Sequence, residues 1–497
     1  MGLDAFVAAL GLLVDPWAIL IMLLATVVGM IVGALPGLGT VTALAMILPF
    51  TFVLTGPQAI GLLLAIYVSS VYGGSIPAIL INVPGTPQSA ATTFDGYPMA
   101  KAGKAAEALG WVTVASTIGG IFSMIVLVFA APQLAALAVQ FGSIETFALI
   151  VFSLTTIAWV SAGNPLKGLL AGVIGVILST VGVDELSGAD RFTFGNFALS
   201  AGFHVVPILI GLFALSEVFV TAGQGISTTA KPIISTGFKI ARFREWWAMK
   251  RTILRSSVLG TFLGVLPGVG ATAASLIGYA QAKSASPKPE NFGKGEPEGI
   301  VASESANNAV TGGALVPTLA LGIPGDAATA VMLGALVIHG ITPGFQLFNR
   351  NPDLVSFIFV ALLVANIMML IVGAMMAQVF SRVLKLPHAL VMGGVVALSL
   401  AGSYVIRFSI LDVWVAVMAG LAGLLLRYAN VPLAPIVIGF ILGTPLETNL
   451  RQGLIVTQMQ PLKFLESPIA VGFFTITLIV VFWPLLKRFL PKRRTID

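Results

Sequence analysis

The residues of this chain best placed to do chemistry are glycines and prolines, and they come in duplicate. Gly33-Ala34-Leu35-Pro36-Gly37-Leu38-Gly39-Thr40 recurs 231 residues later as Gly264-Val265-Leu266-Pro267-Gly268-Val269-Gly270-Ala271. A second landmark follows each copy. Gly73-Gly74-Ser75-Ile76-Pro77 leads to Val83-Pro84-Gly85-Thr86-Pro87. Gly312-Gly313-Ala314-Leu315-Val316-Pro317 leads to Ile323-Pro324-Gly325-Asp326, 240 residues on. Two landmarks in the same order mark an internal repeat, with about nine extra residues between them in the second copy. Proline and glycine inside an apolar segment break a helix and release backbone N–H and C=O groups. Released N–H groups at a half-helix start attract anions, and released carbonyls at a half-helix end attract cations. Glycine lets a ligand approach the backbone. Ordinary kinks are the plainer explanation, since both residues are common in membrane helices. The duplication argues for a site built from paired broken helices.

Hydroxyls and amides crowd around these points. The candidate substrate-binding residues are Pro36, Gly37, Gly39, Thr40, Ser75, Asn82, Pro84, Gly85 and Thr86 in the first copy. In the second they are Pro267, Gly268, Gly270, Thr272, Asn307, Asn308, Pro324 and Gly325. A lone Ser or Thr in a membrane helix commonly bonds back to its own turn, so their concentration is what counts. The copies differ where Thr86 faces Asp326. An acidic group at membrane depth is a functional candidate, so Asp326, with Thr329, is the candidate for a coupling ion, Na⁺ or H⁺. Asp326 equally fits the N-cap of a helix starting at Ala327. Glu304, Glu217 and Glu447 are further acidic candidates. No Lys or Arg lies in the landmarks, so an anionic substrate would depend on backbone N–H groups, hydroxyls and amides.

The elements that must position these residues are apolar helices. The 497 residues are 57% hydrophobic and 9% charged, with a mean hydropathy of +1.01, where soluble domains carry about 25% charge. Long continuous apolar runs, such as Val112–Ala130 and Phe357–Ala377, predict an all-α polytopic membrane protein rather than a barrel. About 12–14 segments are expected, including broken helices. Cysteine is absent, and the three histidines, His204, His339 and His388, are far apart. Thiol chemistry, disulfides and a Cys/His metal site are excluded, leaving no metal beyond a possible Na⁺ and no other cofactor. The start of the chain, without a basic residue before its apolar run, does not read as a cleaved signal peptide.

Charge placement orients the chain. No Lys or Arg precedes Lys101, while Asp4 and Asp15 lie near the start, which puts the N-terminus outside the cytoplasm. Lys231, Lys239, Arg242, Arg244, Lys250, Arg251 and Arg255, with Trp246 and Trp247, mark a cytoplasmic connector over 231–255. A nucleic-acid site is the rival explanation for such a run, disfavoured because it joins two apolar bundles. The chain therefore divides into repeat 1 (1–230), the basic connector (231–255) and repeat 2 (256–497). The polar loop 283–299, rich in Pro, Gly and charge, is expected to be flexible. Arg382, Lys385 and the tail Lys487, Arg488, Lys492, Arg493 and Arg494 fall inside on this count, while Arg191, Arg350 and Arg451 fall outside. The second repeat starts inside and the first outside, so the two are related by inversion.

At Gly33–Thr40, Gly73–Pro87, Asn307–Gly313 and Gly322–Asp326 the chain resembles the large membrane (permease) subunit of the bacterial tripartite tricarboxylate transporters, TctA-like, over essentially its whole length. The resemblance implies uptake of a citrate-like di- or tricarboxylate across the inner membrane by ion-gradient-driven symport. It also implies a periplasmic solute-binding protein (TctC-like) that delivers the substrate and a small membrane subunit (TctB-like) alongside. The carboxylate would then sit between the 36–40 and 267–272 turns and the 84–86 and 324–326 tips. Absence of a GxxxxGK[ST] phosphate loop agrees with a gradient in place of ATP. Alternating access, elevator-like or rocking, is expected. A passive channel for small organic anions is the alternative, since broken helices also line pores. A membrane enzyme would need a nucleophile and base facing one cavity, which this composition hardly supplies. A scaffold without transport is the remaining reading.

Overall fold

In a computed structural model, residues 11, 15–161, 165–184, 186–224, 237–377, 379–383 and 387–489 are described. Asp4, Lys231, Lys385, Lys492, Arg493 and Arg494 lie outside them. The principal helices, in chain order, are α1 (Pro16–Ala34), α2 (Gly39–Ile47), α3 (Gly56–Gly73), α4 (Ser75–Ile81), α5 (Thr92–Met99), α6 (Ala105–Ala138), α7 (Ser143–Ser161) and α8 (Pro165–Ser179). Next comes α9 (Val205–Leu209), which runs through a π-helical stretch, Ile210–Leu215, into α10 (Ser216–Gln224). The second half holds α11 (Phe243–Ala248), α12 (Lys250–Val265), α13 (Gly270–Ala285), α14 (Pro297–Leu321) and α15 (Ala327–Ile338). Then follow α16 (Phe345–Arg350), α17 (Pro352–Met376), α18 (His388–Val405), α19 (Ile410–Tyr428), α20 (Ala434–Val456) and α21 (Pro468–Phe489).

The protein is all-α and polytopic. Among the described residues six helical stretches are long and apolar enough to cross a membrane: 16–34, 56–81, 92–138, 205–223, 352–376 and 410–428. Six shorter apolar helices accompany them. Phe129, Trp414 and Leu425 are exposed on outer faces, as a lipid-facing surface requires. The one sheet among the described residues is a two-stranded hairpin pairing Gly182 with Arg191 and Val183 with Asp190.

The chain folds into two compact units. Unit 1 comprises Met1–Ala138 and His204–Leu426, and unit 2 comprises Val139–Phe203 and Arg427–Asp497. Each unit thus draws on both halves of the sequence. In unit 1, α14 is the buried axis, with Gly299 to Ala320 all buried. Small residues let neighbouring backbones approach it, the usual device where lipid supplies no hydrophobic drive. A Cβ on Gly119 of α6 would lie 2.3 Å from the Ser305 carbonyl, and one on Gly260 of α12 would lie 2.1 Å from that of Ala306. In unit 2, Gly175 of α8 meets the Ile436 carbonyl of α20 in the same way, at 1.9 Å.

The polar loop after α13 is tied down, contrary to the flexibility expected of its composition. Asp95, fully buried on α5, accepts N–H bonds from Gly293, Gly295 and Glu296, each at 2.8 Å. Its other oxygen accepts the Tyr279 hydroxyl at 2.9 Å. In the described part of the connector, Trp246 packs on Trp111 with ring centroids 4.4 Å apart, and Lys250 sits 4.1 Å over the Trp247 ring.

Candidate functional site

The first landmark breaks the chain identically in both copies. Leu35 and Leu266 each precede a proline, which disfavours helix, and both are extended, at ψ 112° and 116°. The next turn requires left-handed backbone: Gly37 and Gly39 have φ of 96° and 56°, and Gly268 and Gly270 have 87° and 67°. Helices α2 and α13 then start at Gly39 and Gly270.

The second landmark behaves differently from the expectation that its glycine pair and following proline would break the helix. Gly74 stays right-handed at φ −61°, and α14 runs straight through Gly312, Gly313 and Pro317. These glycines serve close packing instead. A Cβ on Gly73 would lie 2.5 Å from the Met30 carbonyl, and one on Gly313 would lie 2.3 Å from that of Thr261. The break comes about five residues after the proline. Asn82 (φ 58°) and Gly322 (φ 70°) end α4 and α14 in left-handed caps, and their N–H groups turn back to the carbonyls of Pro77 and Pro317.

Each pair of landmarks closes on itself. A Cβ on Gly85 would lie 2.2 Å from the Gly33 carbonyl and 3.0 Å from Gly74 Cα. One on Gly325 would lie 2.7 Å from the Gly264 carbonyl and 2.6 Å from Ala314 Cα. Gly85 also donates its N–H to the Gly74 carbonyl at 2.9 Å, and Gly268 donates to that of Gly325 at 2.8 Å. The tips 84–86 and 324–326 are therefore seated against the turns at 33–40 and 264–271 through backbone contacts that only glycine admits.

Polar side chains distribute unevenly over this frame. Thr40, Asn307 and Asn308 are buried, and the Thr40 hydroxyl and both amides have no hydrogen-bond partner among the described residues. Unpartnered buried polar groups are costly and call for an explanation. Thr86 is buried beside Gly74, with its hydroxyl 3.4 Å from that of Ser89. Asn82 is exposed, Pro36, Pro84 and Thr272 are half-buried, and Pro267 and Pro324 are buried. Ser75 faces neither tip with its hydroxyl, which donates to Glu304 at 2.6 Å. Asp326 fills the N-cap position of α15. Its Oδ1 accepts the Thr329 N–H and hydroxyl, each at 2.8 Å, and its Oδ2 accepts the Tyr67 hydroxyl at 2.8 Å.

Two groups carry more of this arrangement than their sequence context signals. Tyr67 lies in an apolar helix 259 residues from its partner. Glu304, fully buried, gathers hydroxyls from three elements: Ser75, Thr92 and, at 2.8 Å, Ser116. Spacing signals neither set of contacts. Among the described residues no group of three or more His, Cys, Asp or Glu is placed to hold a metal ion. Glu217 lies near the first turn, 3.0 Å from a Cβ built on Gly37. Glu447 belongs to unit 2, where it pairs with Arg191 at 2.9 Å and with Arg451.

Residues 19–438 match the tripartite tricarboxylate transporter TctA family. An uncharacterised 52.8 kDa protein of the TAR-I ttuC′ 3′ region of Agrobacterium vitis is 36% identical over 467 residues, 94% of this chain and 92% of its own length. An uncharacterised protein of the TAR-II ttuC′ 3′ region of the same organism is 32% identical over 234 residues, 47% of this chain and 97% of its own. No solved structure matches the chain.

Proposed function

The chain belongs to the tripartite tricarboxylate transporter TctA family, and on that premise we propose that it is a multi-pass permease subunit taking up a di- or tricarboxylate across the inner membrane, driven by an ion gradient. The observation that carries this reading is the tip architecture, built twice in one compact unit with matched glycine geometry. Half-helix starts at Gly39 and Gly270 present N–H groups of the kind that bind anions. Thr40, Asn307 and Asn308 add buried hydroxyl and amide groups that are free to bond a carboxylate. No Arg or Lys is needed if the substrate's charge is shared over several such donors.

Substrate would arrive from a periplasmic solute-binding protein (TctC-like), with a small membrane subunit (TctB-like) bound alongside; both are inferred from the family. The two repeats, related by inverted topology, would run elevator-like alternating access, with the unit that holds all four landmarks carrying the substrate. Asp326 and Thr329 would fix the second tip, whatever ion they also hold. The chain has no cysteine, so Thr86→Cys gives a single reporter. We expect its reaction with a membrane-impermeant maleimide to change when carboxylate and ion gradient are supplied. Reactivity unchanged under every condition overturns alternating access.

A further inference from the structure

We propose, resting on the transport reading above, that Glu304 is the group that carries the coupling proton, with Ser75, Thr92 and Ser116 as its hydroxyl cage. Glu304 is 0% exposed in the N-terminal third of α14, and among the described residues it forms no ion pair. An isolated buried carboxylate is costly as an anion. Either a proton or a bound cation must offset that cost. The cage decides between them. Ser75 at 2.6 Å and Thr92 reach Oε1, and Ser116 reaches Oε2 at 2.8 Å. Each hydroxyl already meets a carboxylate oxygen directly, and among the described residues no group of three or more His, Cys, Asp or Glu is placed to hold a metal ion there. A proton needs no further ligand.

The balance is simple. The carboxylate takes one proton from the water on one side and returns it to the other, with no other bond made or broken. Ionised, Glu304 accepts from all three hydroxyls. Protonated, its O–H needs an acceptor, so one hydroxyl must turn from donating to accepting. The cage thus has two hydrogen-bond patterns, one per protonation state. Ser75 transmits the difference. It directly follows Gly74, whose carbonyl accepts the Gly85 N–H at 2.9 Å and whose Cα lies against the first tip.

The titratable groups on the surrounding elements are held elsewhere. Tyr72 of α3 bonds Thr113 at 2.9 Å. Asp95 of α5 is bound by Tyr279 and the loop at 293–296. Glu298, at the start of α14, accepts from Thr252. On α6 the side chain bonded to Glu304 is the uncharged Ser116. None of these supplies Glu304 with a positive charge.

The test uses proteoliposomes of the full chain with its two partner subunits and labelled citrate as probe. Wild-type accumulation driven by a pH gradient is expected. Glu304→Gln should lose at least ten-fold in gradient-driven accumulation while retaining exchange of external label for internal citrate. Ser116→Ala removes one donor to the charged form, so its pH midpoint of uptake should lie about 0.5–1 unit above that of wild type, a shift that a merely structural glutamate would not cause. Glu304→Gln that accumulates citrate like wild type overturns the proposal. So does a Ser116→Ala midpoint that does not move, or wild-type accumulation driven by Na⁺ alone with no response to pH. Absence of citrate flux, of either kind, in the wild type removes the transport reading for citrate and the proposal with it.

Discussion

Tyr67 donates its hydroxyl to Oδ2 of Asp326 at 2.8 Å, joining the middle of α3 to the tip before α15 across 259 residues of sequence. The repeat offset of 240 makes Asn307 the counterpart of Tyr67 and Thr86 the counterpart of Asp326. Ser89, against the Thr86 hydroxyl, then matches Thr329, against the Asp326 carboxylate. The first half carries a phenol and a hydroxyl where the second carries an unpartnered amide and an acid. The frame is symmetric and the chemistry placed on it is not.

Asparagine is as good an N-cap as aspartate, so Asp326→Asn should keep the start of α15 while weakening the bond from Tyr67. We expect uptake to fall several-fold and its response to the ion gradient to persist. Initial rates of uptake with and without the gradient measure this. Uptake that no longer responds to the gradient would assign the coupling ion to Asp326.

Glycine at the tips is a requirement of space. An alanine Cβ at Gly85 would lie 2.2 Å from the Gly33 carbonyl, and one at Gly325 would lie 2.6 Å from Ala314 Cα. Neither backbone neighbour can swing aside. We expect Gly85→Ala and Gly325→Ala each to cost about 1–3 kcal/mol or more and to abolish uptake. Gly394 of α18 has nothing within 4 Å, and Gly394→Ala should be neutral or stabilising by about 0.5–1 kcal/mol. Thermal melts and uptake of the three variants compare them directly.

Asp95 anchors the loop after α13 through three backbone N–H bonds. Asp95→Ala leaves those donors without their acceptor, at a cost of about 2–4 kcal/mol. We expect faster trypsin cleavage at Lys288 and Lys294 in the variant. Equal cleavage rates would show that the loop holds its place without the anchor.

These elements differ in how far sequence alone reveals them. The turns at 33–40 and 264–271 were legible because their causes are local: Leu-Pro favours extended backbone, and glycine admits positive φ. The N-cap at Asp326 was legible for the same reason. The continuity of α14 through Pro317 was not, because packing of Gly312 and Gly313 against Ser123 and Thr261 outweighs the local tendency to break. The Glu304 cage was hidden too. Its donors lie 229, 212 and 188 residues away, and no spacing rule connects such positions. Asp95 turns a segment with the composition of a loose linker into a bound one, which again is a long-range effect.

Unit 2 carries its own charge network. Asp184, with its side chain only 6% exposed, pairs with Arg191 at 2.5 Å and with Arg451 at 2.7 Å. The Ser187 hydroxyl, foremost, and Arg451 hold its carboxyl well below the usual aspartate range. A depressed folded-state value means stability present above the unfolded value, about 3.9, and lost as pH falls through the folded one. The contribution is therefore complete above about pH 5 and declines progressively as pH falls below it. We expect wild-type melting temperature to drop on acidification more steeply than that of Asp184→Asn, and the two to differ most near neutral pH. Parallel melting curves from neutral to acid would contradict this.

The most direct measurement is uptake of labelled di- and tricarboxylates into proteoliposomes that hold this chain with its small membrane partner and its solute-binding protein. We expect accumulation above the external concentration, dependent on the binding protein and on an imposed pH or Na⁺ gradient. Carboxylate that merely equilibrates, with or without a gradient, would contradict a secondary active permease and leave a passive channel in its place.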